Sequence, residues 1–113
     1  MPARVFHKSD WQRRDGWNGV WNGEAGDTGG SFIFSEISEP GLGPKLHTHA
    51  YDEVQIVRRG RARFRVGDED VPCDEGDIIV IPAGTPHLVR TVGGETDIIS
   101  VHLSGRIAAD WLE

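Results

Sequence analysis

The chain has 113 residues, a formal net charge of −6 at pH 7, 27% charged residues and 37% hydrophobic residues. This length suits one domain, the composition excludes a disordered or membrane-embedded chain, and the acidic balance disfavours nucleic acid and anionic membranes as partners. The single cysteine cannot form an intrachain disulfide, and the first residues contain no apolar signal core. We therefore expect one cytoplasmic domain over 1–113.

Three regions of the chain differ in composition. An arm over 1–30 holds three of the four tryptophans and repeats the sequence Trp-Asn-Gly, which favours tight turns rather than a helix. The region over 31–104 alternates apolar and polar residues with period two, as half-buried strands do. The tail over 105–113 is compatible with one helical turn or with a short strand.

Glycine and proline divide the middle region into short alternating runs. The predicted strands cover 31–37, 45–49, 53–58, 61–66, 77–81, 87–92 and 96–103. Many short strands joined by glycine-rich turns indicate an all-β protein, built as an antiparallel double sheet or a small barrel.

Three histidines and one glutamate have a spacing that suits a metal site. His47 and His49 are two residues apart, so on a strand both side chains point to one face, with Cα atoms about 6.6 Å apart. Glu53 follows four residues later and points the same way if the intervening turn preserves the alternation. His87 begins a later strand, and a rolled sheet can place it opposite the other three. Together they offer three imidazole nitrogens and one carboxylate oxygen.

These spacings resemble the two-part signature of the cupin superfamily. Residues 41–60 read Gly, five residues, His-Thr-His, three residues, Glu, six residues and Gly; residues 76–87 read Gly, five residues, Pro-Ala-Gly, two residues and His. One position departs from the pattern, because Thr91 stands where the family has an asparagine. The resemblance implies a single-domain cupin-like fold, an antiparallel double-stranded β-helix or jelly-roll barrel. It also implies that one divalent metal ion is bound by His47, His49, Glu53 and His87.

The metal and its surroundings are less narrowly defined by the sequence. A ligand set of three nitrogens and one oxygen suits iron, manganese, nickel, copper or zinc, and the sequence does not choose among them. Strand alternation places further side chains on the same inner face, where they are possible substrate contacts. These candidates are Gln55, Phe64, Thr91 and His102.

The resemblance implies a metallo-enzyme that acts on a small organic molecule. Dioxygenase chemistry and isomerase or lyase chemistry on a sugar-like acid both remain open, because one fold supports many reactions. The alternative is a non-catalytic barrel that binds or senses a small ligand. Val54 and Ile56 are expected to point outward from their strand, which, with the family's habit, predicts a homodimer.

Overall fold

The computed structural model describes residues 2–113, and eleven short strands account for most of the regular structure in that range. In chain order the strands are β1 Gln12–Arg13, β2 Gly19–Trp21, β3 Ser31–Ile37, β4 His47–Thr48, β5 Glu53–Arg59, β6 Arg61–Val66, β7 Glu69–Asp74, β8 Ile78–Ile81, β9 His87–Thr91, β10 Thr96–His102 and β11 Asp110–Trp111. Two 3-10 helices, Lys8–Asp10 and Gly23–Gly26, precede β1 and β3. Among residues 2–113 no helix has the length and apolar character needed to cross a membrane.

The strands form two antiparallel sheets that enclose one core. The larger sheet has the order β1-β2-β3-β10-β5-β8 and the smaller sheet has the order β11-β4-β9-β6-β7. Both sheets contribute inward side chains to a single apolar cluster. The members of this cluster are Val57, Ala62, Phe64, Cys73, Ile81 and Ile98. The predicted all-β, antiparallel jelly-roll architecture is therefore confirmed.

The interior of the barrel changes character along its strands. On β5 the buried positions run from Glu53 through Gln55 to Val57, and on β10 the residues opposite them are His102, Ser100 and Ile98. Because alternate residues of a strand share a face, all of these side chains point inward. One end of the interior is thus apolar and filled, whereas the other end carries these buried polar side chains and holds the candidate site.

One strand of the middle region was not predicted from the sequence, and neither were the two short strands of the arm, β1 and β2. Residues 69–74 contain Pro72 and three acidic residues, which predict a turn, yet they form β7. β7 pairs only with β6 and is the edge of its sheet, where a proline is tolerated because its missing N–H faces away from the ladder. The strand predicted over 45–49 is shorter in the structure than in the prediction, because only His47–Thr48 forms regular strand pairs.

The arm adds strands and aromatic cover to the larger sheet. β1 and β2 extend that sheet beyond β3. The Trp11 ring stacks on Phe34 with centroids 4.4 Å apart, and Trp21 lies 6.0 Å from Phe32 and 4.9 Å from Phe6. The arm therefore consists of short strands and single 3-10 turns, without an α-helix among its described residues 2–30. Trp11 and Trp21 pack on the outer face of the sheet, away from the polar end of the interior.

Outward arginines on β6 are paired with acids of the neighbouring strand. Arg61 contacts Asp74 at 3.1 Å and Arg63 contacts Asp70 at 2.6 Å. All four side chains are exposed, so each pair adds little stability. This face is an ordinary solvated surface.

Candidate metal centre

The four residues singled out by their spacing come together at the polar end of the interior. His47 lies on β4, His49 follows that strand, and Glu53 begins β5. His87 begins β9 and pairs directly with His47 across the β4–β9 ladder. Each of the four offers one ligand atom, and these atoms all lie within 4.8 Å of one another. All four residues are buried.

Backbone carbonyls fix the orientation and the tautomer of the three imidazoles. In each ring Nδ1 lies within hydrogen-bond distance of a carbonyl oxygen, which can only accept a proton. Each Nδ1 therefore carries a hydrogen, and in the neutral form of each ring the lone pair of Nε2 points inward. The three bonds are His47 to Lys45 at 2.6 Å, His49 to Ala108 at 2.6 Å, and His87 to Thr85 at 2.9 Å.

The inward atoms of the cluster are all acceptors when the imidazoles are neutral. Nε2 of His49 and Nε2 of His87 each lie 3.1 Å from Oε1 of Glu53. Nε2 of His49 is fully buried and makes no hydrogen bond of acceptable geometry within the described part of the chain. Lone pairs and a carboxylate this close together repel one another, and a cation held between them would relieve that repulsion. Three nitrogens and one oxygen are a donor set that suits a transition metal ion, so these residues fit such an ion.

The electrostatics of the pocket keep the glutamate ionised. Burial alone raises the pKa of Glu53, but the neighbouring imidazoles, His49 and His87 foremost, together outweigh burial and hold this pKa well below its usual range. Burial lowers the pKa of His47 and thereby favours its neutral, metal-binding form. Nε2 of Gln55 donates a hydrogen bond of 2.6 Å to Oε2 of Glu53, which leaves Oε1 facing the imidazoles.

A fourth buried histidine stands beside the cluster. His102 is 2% exposed, and its Nε2 lies 3.6 Å from Oε2 of Glu53, beyond hydrogen-bond distance. Its Nδ1 lies 2.8 Å from the hydroxyl oxygen of Tyr51. Burial lowers the pKa of His102 to about 4, so this ring is neutral near pH 7.

The cluster forms part of the wall of a cavity of about 220 Å³. The rest of the wall is mainly apolar, with a few polar groups, as in most small-molecule sites. The apolar wall residues include Ile33, Leu42, Val89, Ile98, Ile107 and Trp111. The volume lies below the usual range for drug-sized ligands, so the cavity suits a small molecule.

The structure separates the possible substrate contacts into two groups. Gln55, Thr91 and His102 line the cavity. The Thr91 hydroxyl is already engaged, because it donates to the Glu39 carbonyl at 2.6 Å and accepts from the Leu42 N–H at 3.1 Å. Phe64 is 1% exposed and packs in the apolar core, away from the cavity wall.

The C-terminal segment makes contacts that the sequence did not indicate. Residues 110–111 form β11, which pairs with β4 and so with the strand that carries His47. Ala108 supplies the carbonyl that orients His49, and the Trp111 ring lies 4.9 Å from the His47 ring. A backbone carbonyl has no sequence signature, and the tail shows neither clear alternation nor a helical period. The tail is nevertheless both a wall of the cavity and a support for a candidate ligand.

Replacing Trp111 by alanine is expected to weaken metal binding by about tenfold, as the loss of an outer support of a metal ligand does. The Trp111 side chain holds β11 against His47, and its removal loosens the segment that carries the Ala108 carbonyl. Competition with a chromophoric chelator measures the affinity. Leu112→Ala is the matched control, because Leu112 is 53% exposed and does not line the cavity. Equal affinities of the two variants would contradict the supporting role.

The sequence of this chain is similar to a known domain family and to parts of curated proteins. A family model described as the cupin domain matches residues 34–102. The acireductone dioxygenase of Citrobacter koseri is 36% identical over 61 residues, which cover 50% of this chain and 33% of that protein. The acireductone dioxygenase of Gluconobacter oxydans is 32% identical over 92 residues, covering 72% of this chain and 48% of that protein. The chain thus spans between a third and a half of the length of these relatives.

Solved structures resemble the fold over most of the chain. A variant of the oxalate decarboxylase of Bacillus subtilis superposes with a TM-score of 0.79 at 21% identity, covering 95% of this chain and 32% of that one. A cupin superfamily protein of Desulfitobacterium hafniense superposes with a TM-score of 0.61 at 13% identity, covering 66% of this chain and 67% of that one. Identities this low establish a shared architecture and nothing about the reaction.

Proposed function

The chain belongs to the cupin family, and from that premise we propose that it is a metal-dependent enzyme of the dioxygenase type that acts on a small, oxygen-rich organic molecule. The observation that carries the proposal is the convergence of three imidazole nitrogens and one carboxylate oxygen on the wall of a small cavity. Similarity to acireductone dioxygenases supports oxygen-dependent chemistry over isomerase or lyase chemistry.

The four clustered residues would hold the metal ion, and the rest of the cavity would hold the substrate. A bound transition metal supplies Lewis acidity and, when it is redox-active, the means to activate oxygen; we propose iron or manganese for this role. The carbonyls behind His47, His49 and His87 keep their Nε2 atoms directed inward without rearrangement. The mainly apolar wall excludes water and strengthens every polar contact made inside.

Metal content and oxygen uptake test this proposal together. The untagged protein is analysed for transition metals, beside a variant in which His47 and His49 are both alanine. Oxygen consumption is then followed with an acireductone, a diketone, a catechol and a thiol. We expect about one ion per chain, lost in the variant, and uptake with at least one substrate.

Other results would favour the competing functions. Conversion of a uronate or sugar acid without oxygen would favour an isomerase or lyase. A thermal shift with ligand but without turnover would favour a binding or sensor barrel. Absence of metal after reconstitution would contradict the proposal.

We also propose that the chain forms a homodimer through the outer face of its larger sheet. Ile78 and Val80 on β8 are 65% and 58% exposed. They pair with Ile56 and Val54 on β5, which in turn pair with Ile99 and Val101 on β10. These six β-branched side chains form one apolar patch that continues toward the aromatic cover of the arm. A second copy presents the same flat surface, so two sheets can pack face to face about a twofold axis.

A charge placed in this patch is expected to convert the dimer to a monomer. Val80→Lys buries an unpaired ammonium group in the proposed interface, which costs more than most interfaces can offset. Light scattering coupled to size-exclusion chromatography gives the mass of each species. Val92→Lys is the control, since Val92 is also exposed but lies in the loop after β9, outside the patch. A monomeric wild-type protein, or an unchanged mass for Val80→Lys, would contradict this interface.

A further inference from the structure

The fourth buried histidine has no role in holding the metal in the function proposed above. Nε2 of His102 is fully buried and has no hydrogen-bond partner among residues 2–113, although the ring lines the cavity. A buried polar nitrogen without a partner is costly, so its retention calls for an explanation. The neighbouring Tyr51 hydroxyl lies against Nδ1 and fixes the position of the ring.

The hydrogen bonds around Tyr51 decide which nitrogen of His102 carries the proton. The Ala108 carbonyl already accepts from His49 at 2.6 Å, and its distance to the Tyr51 oxygen is 3.2 Å. The Tyr51 oxygen accepts the Ala108 N–H at 3.2 Å and lies closer, at 2.8 Å, to Nδ1 of His102. The hydroxyl has one hydrogen and two possible acceptors, the Ala108 carbonyl and Nδ1 of His102. We assign that hydrogen to Nδ1 because this contact is the shorter, and the hydrogen of the neutral ring then lies on Nε2.

The charge of Glu53 favours the same tautomer. Nε2 of His102 lies 3.6 Å from Oε2 of Glu53, so an N–H there faces a carboxylate, whereas a lone pair would be repelled by it. His102 is thus the opposite of the three clustered histidines. They direct lone pairs toward the metal position, and His102 presents a hydrogen-bond donor at the cavity wall beside Glu53.

We propose that His102 is a ligand-binding residue that donates a hydrogen bond from Nε2 to an ionised oxygen of the small molecule bound at the metal, and that Tyr51 holds it in the donor tautomer. This inference rests on the metal site of the proposed function and adds the substrate class. A metal ion held by the cluster would acidify a coordinated hydroxyl group, so an enol, catechol or 2-hydroxy acid would bind there as an oxyanion. In an apolar cavity that charge needs a fixed donor, and His102 supplies one.

Binding of 4-nitrocatechol to the zinc-loaded protein tests the inference without relying on turnover. This probe changes its absorption spectrum when its hydroxyls ionise, and zinc contributes no absorption of its own. His102→Phe removes the donor while keeping a planar ring, and the dissociation constant of the probe is expected to rise about ten- to a hundredfold, as for loss of a hydrogen bond to a charged group. His102→Gln places an amide N–H near the same point and is expected to restore most of the affinity.

Two further measurements separate hydrogen bonding from a structural effect. Zinc affinity is expected to stay within about threefold of wild type in both variants, because loss of a supporting residue would cost tenfold or more. Imidazole, a neutral nitrogen ligand of the same metal, gains nothing from a donor at His102, and its binding is expected to be unchanged. Tyr51→Phe removes the hydroxyl group that holds His102 in its donor tautomer. This variant is expected to weaken 4-nitrocatechol binding by less than His102→Phe does. If His102→Phe does not fold, His102→Met takes its place with the same readouts.

Each contrary result has a definite meaning. Wild-type affinity for the probe in His102→Phe, or no probe binding by the zinc-loaded wild-type protein, would overturn the inference and leave the metal site standing. Loss of zinc in the His102 variants would make His102 a fifth ligand and overturn its role as a donor. Wild-type affinity in Tyr51→Phe would remove Tyr51 from the proposal. Failure of the wild-type protein to bind zinc or any other transition metal would overturn the proposed function itself.

Discussion

Replacing Glu53 by glutamine is expected to abolish the stabilisation that a bound metal gives this protein. Ligand present at about a thousand times its dissociation constant stabilises the native state by about 4 kcal/mol. In a domain of this size that corresponds to a rise of roughly 15 °C in Tm. Glu53 is the only carboxylate in the candidate cluster. A glutamine there removes the charge and presents an N–H to the lone pairs of His49 or His87, which competes with the metal.

Differential scanning fluorimetry with and without added metal measures this effect. The wild-type Tm is expected to rise with metal concentration, and the Glu53→Gln Tm is expected to stay constant. Glu95→Gln is the matched control, because Glu95 is 65% exposed and pairs only with the exposed Arg59. Its response to metal is expected to equal that of wild type. A metal-dependent rise in Glu53→Gln would show that the carboxylate is not a ligand.

The arrangement of the candidate site was largely predictable because it depends on strand alternation. His47 and His49 share a face through their spacing of two, and Glu53 begins the next strand with its side chain directed inward. His87 directly follows a Pro-containing turn and pairs with His47. Local spacing and a closed antiparallel sheet are sufficient to bring these residues together. The same alternation correctly placed His102 on the inner face of β10.

The features that escaped prediction depend on contacts between distant parts of the chain. Ala108 contributes a backbone carbonyl to His49 across 59 residues of sequence, and any residue type could have provided it. Tyr51 contacts His102 across 51 residues, and its position in a turn gave no reason to expect an inward contact. Phe64 has the alternation of a cavity residue, yet it lies at the apolar end of the interior. Alternation assigns a side chain to a face, but not to a depth along the barrel.

The position of Phe64 leads to a prediction that distinguishes core packing from ligand contact. Phe64→Ala is expected to lower the free energy of unfolding by about 3–5 kcal/mol, as for other buried phenylalanines. Phe64 is 1% exposed and pairs with Val71 and Val89 across the smaller sheet, so its removal leaves a cavity between the sheets. Because the total stability of a domain is only about 5–15 kcal/mol, this loss is a large fraction of it.

Urea denaturation at low temperature measures the loss, and metal affinity in the folded variant shows whether the site is affected. Phe64→Leu keeps most of the volume and is expected to cost less than about 1.5 kcal/mol. Arg65→Ala, on the outward face of the same strand, is the control and is expected to change stability by no more than about 0.5 kcal/mol. Metal affinity is expected to be unchanged in all three, because the core cluster and the four candidate ligands occupy different ends of the interior. Unchanged stability of Phe64→Ala combined with weaker binding of 4-nitrocatechol would instead place Phe64 at the ligand, as strand alternation alone suggests.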